Sequence, residues 1–117
     1  MSNSQTVVLH DAANASLGSF EPKPTAVTEG LQEATLEIWE GGKTSTGLWA
    51  SEVGTFTAER IGYSEICYFI EGSVTVEVEG EEPVKYGAGD VMVMPSGWKG
   101  IWHVHSPVRK HFTVIED

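Results

Sequence analysis

The chain has a single cysteine, Cys67, among 117 residues. That excludes an intramolecular disulfide framework, and its place in the apolar run Ile66–Ile70 predicts a buried thiol rather than a nucleophile. Positive charge is scarce: seven Lys and Arg stand against 17 Asp and Glu, a formal net charge of −10. Nucleic acid and anionic membrane surfaces would be repelled over a Debye length of about 8 Å, so the expected partners are small molecules or proteins. Long hydrophobic runs are missing as well. Met1–His10 has no basic region followed by an apolar stretch, and no later segment approaches the roughly 20 apolar residues of a spanning helix. The expectation is a soluble, unexported protein of the reducing cytoplasm. Helical periodicity is absent too, since no window sustains an apolar repeat of about 3.6 residues, and no internal repeat is visible.

What remains is the material of one domain, with 40% hydrophobic residues and four Trp, three Tyr and four Phe to fill a single core. Residues 1–33 are rich in Ser, Asn, Pro and Gly, and Glu21-Pro22-Lys23-Pro24 is a stiff extended piece. They read as an N-terminal arm lying over the surface, with a strand-like segment Thr6–His10 able to exchange with a neighbouring copy. Residues 34–117 carry short β-rich runs broken by turn residues: Ala34–Glu40, Thr46–Ser51, Thr55–Glu59, Glu65–Glu71, Ser73–Glu79, Pro83–Tyr86, Val91–Met94, Gly100–His105 and Val108–Glu116. The fold class is therefore all-β, a barrel or jelly roll.

Alternation assigns the faces. In Ser73–Glu79 three valines share one side and Ser, Thr and Glu the other. In Glu65–Glu71 both faces are largely apolar, which predicts burial on both sides and puts Glu65 in line with Cys67 and Phe69. A carboxylate there is costly unless it has a partner. Between Ser96 and Ile115 no acid occurs, while Lys99, His103, His105, Arg109, Lys110 and His111 do. This is either two strands with basic solvent faces or a site attracting a small anion. His103 and His105 share one strand face and Gly100, Trp102 and Val104 the other, so the histidines are expected to point outward, and His111 to lie opposite Lys110.

Two stretches have a recognisable spacing. Gly54 opens the first, Glu65 and Gly72 close it with six residues between them, and Gly89-Asp90, Pro95 and Gly97 mark the second. This spacing resembles the paired motifs of the cupin superfamily, and it implies that family's double-stranded β-helix, a jelly-roll barrel. Trp49, Glu59, Tyr63–Gly72, Gly97–Trp102 and Val108–Phe112 look like the subgroup that includes ureidoglycine aminohydrolase and an ethanolamine-utilisation cupin. The aminohydrolase pattern implies four ligands for a divalent metal such as manganese, and its places are held here by Glu59, Ile61, Glu65 and Gly100. Only two of these have side chains that bind metal, and the usual ligand histidines are missing. No cofactor is therefore expected, with weak manganese or another divalent ion at Glu59 and Glu65 as the variant. The resemblance also implies a homodimer.

Inside the barrel the expected residues are Glu59, Glu65, Trp102 and Lys110, with Tyr63 and Trp98 near the mouth. Glu59, Glu65 and Lys110 are the candidate acid–base or catalytic groups, and Tyr63, Trp98, Gly100 and Trp102 the candidate ligand contacts. Gly100 is either a bend in a curved strand or space for a ligand where a metal would sit. Three functions follow. The first is a metal-free cupin binding a small anionic or amide-bearing metabolite, with acid–base chemistry by the carboxylates and the lysine. The second is a divalent-metal aminohydrolase acting on a ureido or amino-acid-derived compound. The third is a non-catalytic accessory or structural subunit.

Overall fold

The computed structural model describes residues 4–117, and among them the secondary structure is eight strands with no helix. They are β1 (Glu21–Pro22), β2 (Gln32–Gly41), β3 (Thr44–Ser51), β4 (Gly54–Glu59), β5 (Tyr63–Glu77), β6 (Val84–Gly87), β7 (Val91–Met94) and β8 (Lys99–Glu116). The nine β-rich runs thus condense into fewer, longer strands. Glu65–Glu71 and Ser73–Glu79 merge into β5, and Gly100–His105 and Val108–Glu116 merge into β8. Thr6–His10 carries no strand within this chain.

The merger has a local cause. β5 and β8 run antiparallel along their whole lengths, and their register slips around Phe69–Val74. At the slip Gly72 has φ +95°, and a Cβ there would collide with the carbonyl of Pro107 and with Val108 Cα. Pro107, which has no N–H to give, sits in the irregularity where none is required. Both strands bend together at this point.

The bent pair joins two layers. The second half of β8 pairs with β3 and with the first half of β5, and β2 extends that sheet beyond β3 and β7 beyond β5. The first half of β8 pairs with β4 and with the second half of β5, which carries β6. The inner faces meet in one core that includes Trp49, Phe69, Met94 and Val108 from the first layer and Phe56, Val76 and Trp102 from the second. This is the expected jelly roll. The turn Gly87–Asp90 that feeds β7 is closed by the Asp90 carboxylate, which accepts the Gly87 N–H at 2.8 Å.

The arm is part of the fold in two ways. Leu17, with Leu9, Ala12 and Ala15 beside it, covers Ala34, Leu48 and Ala50 on the outer face of β2 and β3, making a second, smaller core. Arg109 clamps it there, its Nη1 donating to the carbonyls of Ala12 (2.9 Å) and Ala15 (2.8 Å). Further on, the N–H groups of Val27 and Thr28 bond the carbonyl of Thr55, which returns residues 23–28 to the rim of β4. Burial of Glu65–Glu71 on both sides is not observed. Glu65, Cys67 and Phe69 are inside, whereas Ile66 and Tyr68 are 40% and 47% exposed, next to exposed Val91 and Val93 on β7.

Candidate functional site

Lys110 and Glu65 arrive from neighbouring strands on the same inner face and meet at 2.7 Å, Nζ to Oε2. They are 4% and 7% exposed and, with Ser51, make up the buried polar residues among those described. Alternation puts them there: on β8 it turns Val108, Lys110 and Phe112 inward, and on β5 Glu65, Cys67 and Phe69. The ammonium stands 4.7 Å from the ring centres of both Trp49 and Trp102, so two indole faces offset part of its lost hydration. Trp102 itself is fully buried against Phe56 and Phe69. Its Nε1 and Arg60 Nε are buried donors with no hydrogen-bond partner among the described residues.

Arg60 supplies a second cation. Its Nε lies 3.4 Å from Glu65 Oε1, and its guanidinium lies between the rings of Tyr63 (6.0 Å) and Trp98 (5.8 Å). Two backbone bonds hold it there, Arg60 N to Trp98 O at 2.8 Å and Gly97 N to Arg60 O at 2.6 Å, so the β4–β5 loop is tied to the turn before β8. A second ion pair comes from the arm and β2. Lys23 Nζ donates to Glu33 Oε1 at 2.7 Å, and Trp49 Nε1 donates to the same oxygen at 2.8 Å. Lys23 also lies over Phe56, 4.5 Å from the ring centre.

The charged groups among these border one cavity of about 330 Å³, near the lower end of the roughly 300–1,000 Å³ usual for small-molecule sites. Lys23, Arg60 and Lys110 bring positive charge to it, Glu33, Glu65 and, at the rim, Glu59 negative charge, and Trp49, Phe56 and Phe112 flat apolar walls. Thr25, Thr35 and Thr57 stand around it and are themselves exposed.

The expected residues divide. Glu65, Lys110 and Trp102 come together inside the barrel, and Tyr63 lies at the mouth, where its hydroxyl donates to the Glu59 carbonyl at 3.3 Å. Glu59 does not join them. On β4 it alternates with the buried Phe56 and Ala58, so its carboxylate is half exposed and faces Lys99 at 3.6 Å. Trp98 shields Arg60 but does not border the cavity. Gly100 is not an empty ligand space: a Cβ there would meet the Trp98 ring at 2.7 Å and the Glu77 carbonyl at 2.8 Å. The glycine is required by the indole that fills its place.

The basic stretch between Ser96 and Ile115 does not form one patch, because alternation sends its members to opposite sides. Lys110 alone faces the cavity, Arg109 holds the arm, and Lys99 is 77% exposed. The histidines point outward as expected: His103 bonds Glu77 and Thr55, His105 bonds Thr75, and His111 bonds Thr46. Cys67 is buried, and burial pushes its thiol pKa up, against the nearby Lys110.

A metal does not fit these residues. Glu59 and Glu65 face different directions, both Glu65 oxygens are engaged by Lys110 and Arg60, and Ile61 is 74% exposed. Among the described residues no three His, Cys, Asp or Glu side chains converge.

Sequence reasoning missed Arg60, Lys23 and Glu33. Lys23 and Glu33 lie in the segment read as a surface arm. The signal available for Glu33 was its alternation with Ala34, Leu36 and Ile38, whose apolar face the arm covers.

Comparison with known proteins agrees with this architecture. Residues 38–112 match the model of the EutQ-like cupin domain. The structure is similar to that of EutQ from Clostridium difficile, at 20% identity over 74% of this chain and 70% of that one, with a TM-score of 0.66. It is similar to a putative ethanolamine utilization protein Q from Salmonella typhimurium, at 25% identity over 83% and 78%, TM-score 0.67. A DUF861 family protein from Thermotoga maritima shares 35% identity over 56% of this chain and 73% of its own, TM-score 0.52. No curated protein matches. A jelly roll built on a bent β5–β8 pair, with Glu65 and the Gly89 and Gly97 turns in their motif places, thus has its relatives, and the chain belongs to the family of EutQ-like cupin domains.

Proposed function

We propose that the protein binds a small anionic or amide-bearing metabolite in the barrel cavity without a metal, and that Glu65 and Lys110 are the groups able to exchange a proton with it. The observation that carries this is the buried Glu65–Lys110 pair bordering a cavity that also holds Arg60 and Lys23. In a protein of net charge −10, three cations gathered at one partly dry cavity, with its rim carboxylate Glu59 answered by Lys99 outside, select for acceptors and anions. Glu59 acts at most at the rim, where it already has Lys99.

The test is calorimetric titration of small carboxylates, amides and amines into the wild type and Lys23→Gln. Carboxylates that bind more tightly than about 10 mM, and bind weakly to the variant, support the assignment. Amines binding in preference to carboxylates would sink it.

The exposed row of Ile66, Tyr68, Val91 and Val93 favours a homodimer, and with it the third function, a non-catalytic accessory or structural subunit. Light scattering of Tyr68→Glu, Val91→Glu should give half the wild-type mass, and an unchanged mass would refute pairing through this face. The buried free thiol of Cys67 suits a reducing cytoplasm. Among the described residues no helix is long and apolar enough to cross a membrane.

A further inference from the structure

The charge count and the donors around the cavity narrow the ligand further, on the basis of the metal-free anion site proposed above. The carboxylates facing the cavity are engaged. Glu65 is held by Lys110 at 2.7 Å with Arg60 Nε at 3.4 Å, and Glu33 takes Lys23 and the Trp49 indole N–H on one oxygen. Glu59 at the rim faces Lys99. Three cations and three carboxylates border the cavity; with the rim carboxylate Glu59 answered by Lys99 from outside it, Lys23, Arg60 and Lys110 against Glu33 and Glu65 leave one positive charge in excess. Each lysine ammonium has three N–H donors and gives one of them to its carboxylate.

One excess charge in a partly dry site matches one ionised group on the ligand. A dianion brings a second charge that must be stripped of water with no cation left to answer it. An α-amino acid brings an ammonium group towards Lys23, Arg60 and Lys110, where the carboxylates are already engaged. Beyond the charged end the polar groups are neutral. The hydroxyls of Thr25 and Thr35 border the cavity and make no side-chain hydrogen bond among the described residues. Each can donate one bond and accept others, which suits hydroxyl or amide groups on the ligand.

We infer that the cavity takes a hydroxylated monocarboxylate, its carboxylate between the Lys23 and Lys110 ammonium groups and its hydroxyls against the threonine rim, and that it rejects dicarboxylates and α-amino acids.

Four compounds with one skeleton separate these features: D-gluconate, D-glucarate, D-glucosaminate and D-gluconamide, each titrated calorimetrically into the wild-type protein at pH 7. Gluconate is expected to bind at least about tenfold more tightly than glucarate with its second carboxylate, glucosaminate with its α-ammonium, or the neutral amide. Lys23→Gln should weaken gluconate about tenfold, and Thr35→Val should weaken it severalfold. Both changes are at partly or largely exposed positions, and circular dichroism and a melting curve check the fold.

Glucarate or glucosaminate binding as tightly as gluconate would overturn this ligand class while leaving the anion site standing. Gluconamide binding as tightly as gluconate would likewise overturn the monocarboxylate class while leaving a site for amide-bearing metabolites, and binding by none of the four together with none by simpler carboxylates or amides would overturn both.

Discussion

Replacing Lys110 by Met tests whether the Glu65–Lys110 pair is what makes a buried carboxylate tolerable. Methionine fills the lysine stem's place between Trp49 and Trp102 and removes only the ammonium group. Glu65 then remains 7% exposed with Arg60 Nε 3.4 Å away as its one cation. Breaking a buried ion pair from one side costs about 3–5 kcal/mol. The remaining arginine moves the expected loss to the lower end, about 3 kcal/mol. At an unfolding entropy of roughly 2.1 cal/mol/K per residue over 117 residues, this corresponds to a fall in Tm of about 12 °C. Urea titration followed by tryptophan fluorescence measures the free energy, and an unchanged m-value would show that the denatured state is not responsible. The double variant Glu65→Gln, Lys110→Met removes the stranded charge but keeps a side chain that Arg60 can bond. It should recover at least half of the loss, a strongly non-additive cycle. A single variant losing less than about 1 kcal/mol, or a double variant no more stable than Lys110→Met alone, would refute the reasoning.

Two further outcomes follow from the arm and the thiol. Arg109→Gln removes the guanidinium that donates to Ala12 and Ala15, so residues 11–18 should exchange their amide hydrogens faster, at a cost of about 2 kcal/mol. Unchanged protection there would mean that the apolar contacts of Leu17 hold the arm unaided. Burial raises the Cys67 thiol above its ordinary pKa of 9.0, so above pH 9 the unfolded chain ionises while the folded thiol keeps its proton. Stability is full below that pH and falls as pH rises, by up to about 1.4 kcal/mol per pH unit, until the folded thiol titrates too. Urea titrations at pH 8, 9 and 10 should show this fall in the wild type and a shallower one in Cys67→Ala. Equal slopes would mean that another group dominates, and Tyr86, raised by burial from 10.0, is the next to act.

Strand alternation made the fold and half of the site readable. It put Glu65 and Lys110 inward and the three β8 histidines outward, and all five residues are found there. It failed in two ways. Period two is a property of one regular strand, so it could not show that β5 and β8 continue through the Gly72 bend, nor that a face as apolar as Ile66 and Tyr68 is left exposed. It also carries no information about elements that return from a distance. Lys23 reaches the cavity because its segment folds back along β4, and Arg60 because Gly97 and Trp98 hold its backbone. Neither contact has a local pattern to announce it. Glu59 was assigned from motif position, whereas the phase of β4, set by Phe56 and Ala58, turns it out towards Lys99.

That difference between motif position and side-chain direction decides whether the missing metal ligands can be put back. The resemblance implies Glu, His, His and Gln at positions 59, 61, 65 and 100, so by motif position Ile61→His and Gly100→Gln restore two of these ligand types next to Glu59 and Glu65. By geometry they do not. Ile61 is 74% exposed, past the end of β4, and Glu59 is on the outward phase. A side chain at 100 meets the Trp98 ring at 2.7 Å and the Glu77 carbonyl at 2.8 Å, so a glutamine must displace the indole that shields Arg60. Glu65 would also have to release Lys110, since a divalent ion and an ammonium cannot both occupy 2.7 Å of one carboxylate without strong repulsion. The double variant should therefore lose stability, by about 1–3 kcal/mol for the crowding at 100, and show no tight manganese binding by calorimetry. Adding Lys110→Met should not rescue it, because the ligands still do not converge. Stoichiometric manganese in Ile61→His, Gly100→Gln would refute this: it would show that the β4–β5 loop turns inward on demand, and that the lysine only occupies a place the scaffold still keeps for a metal.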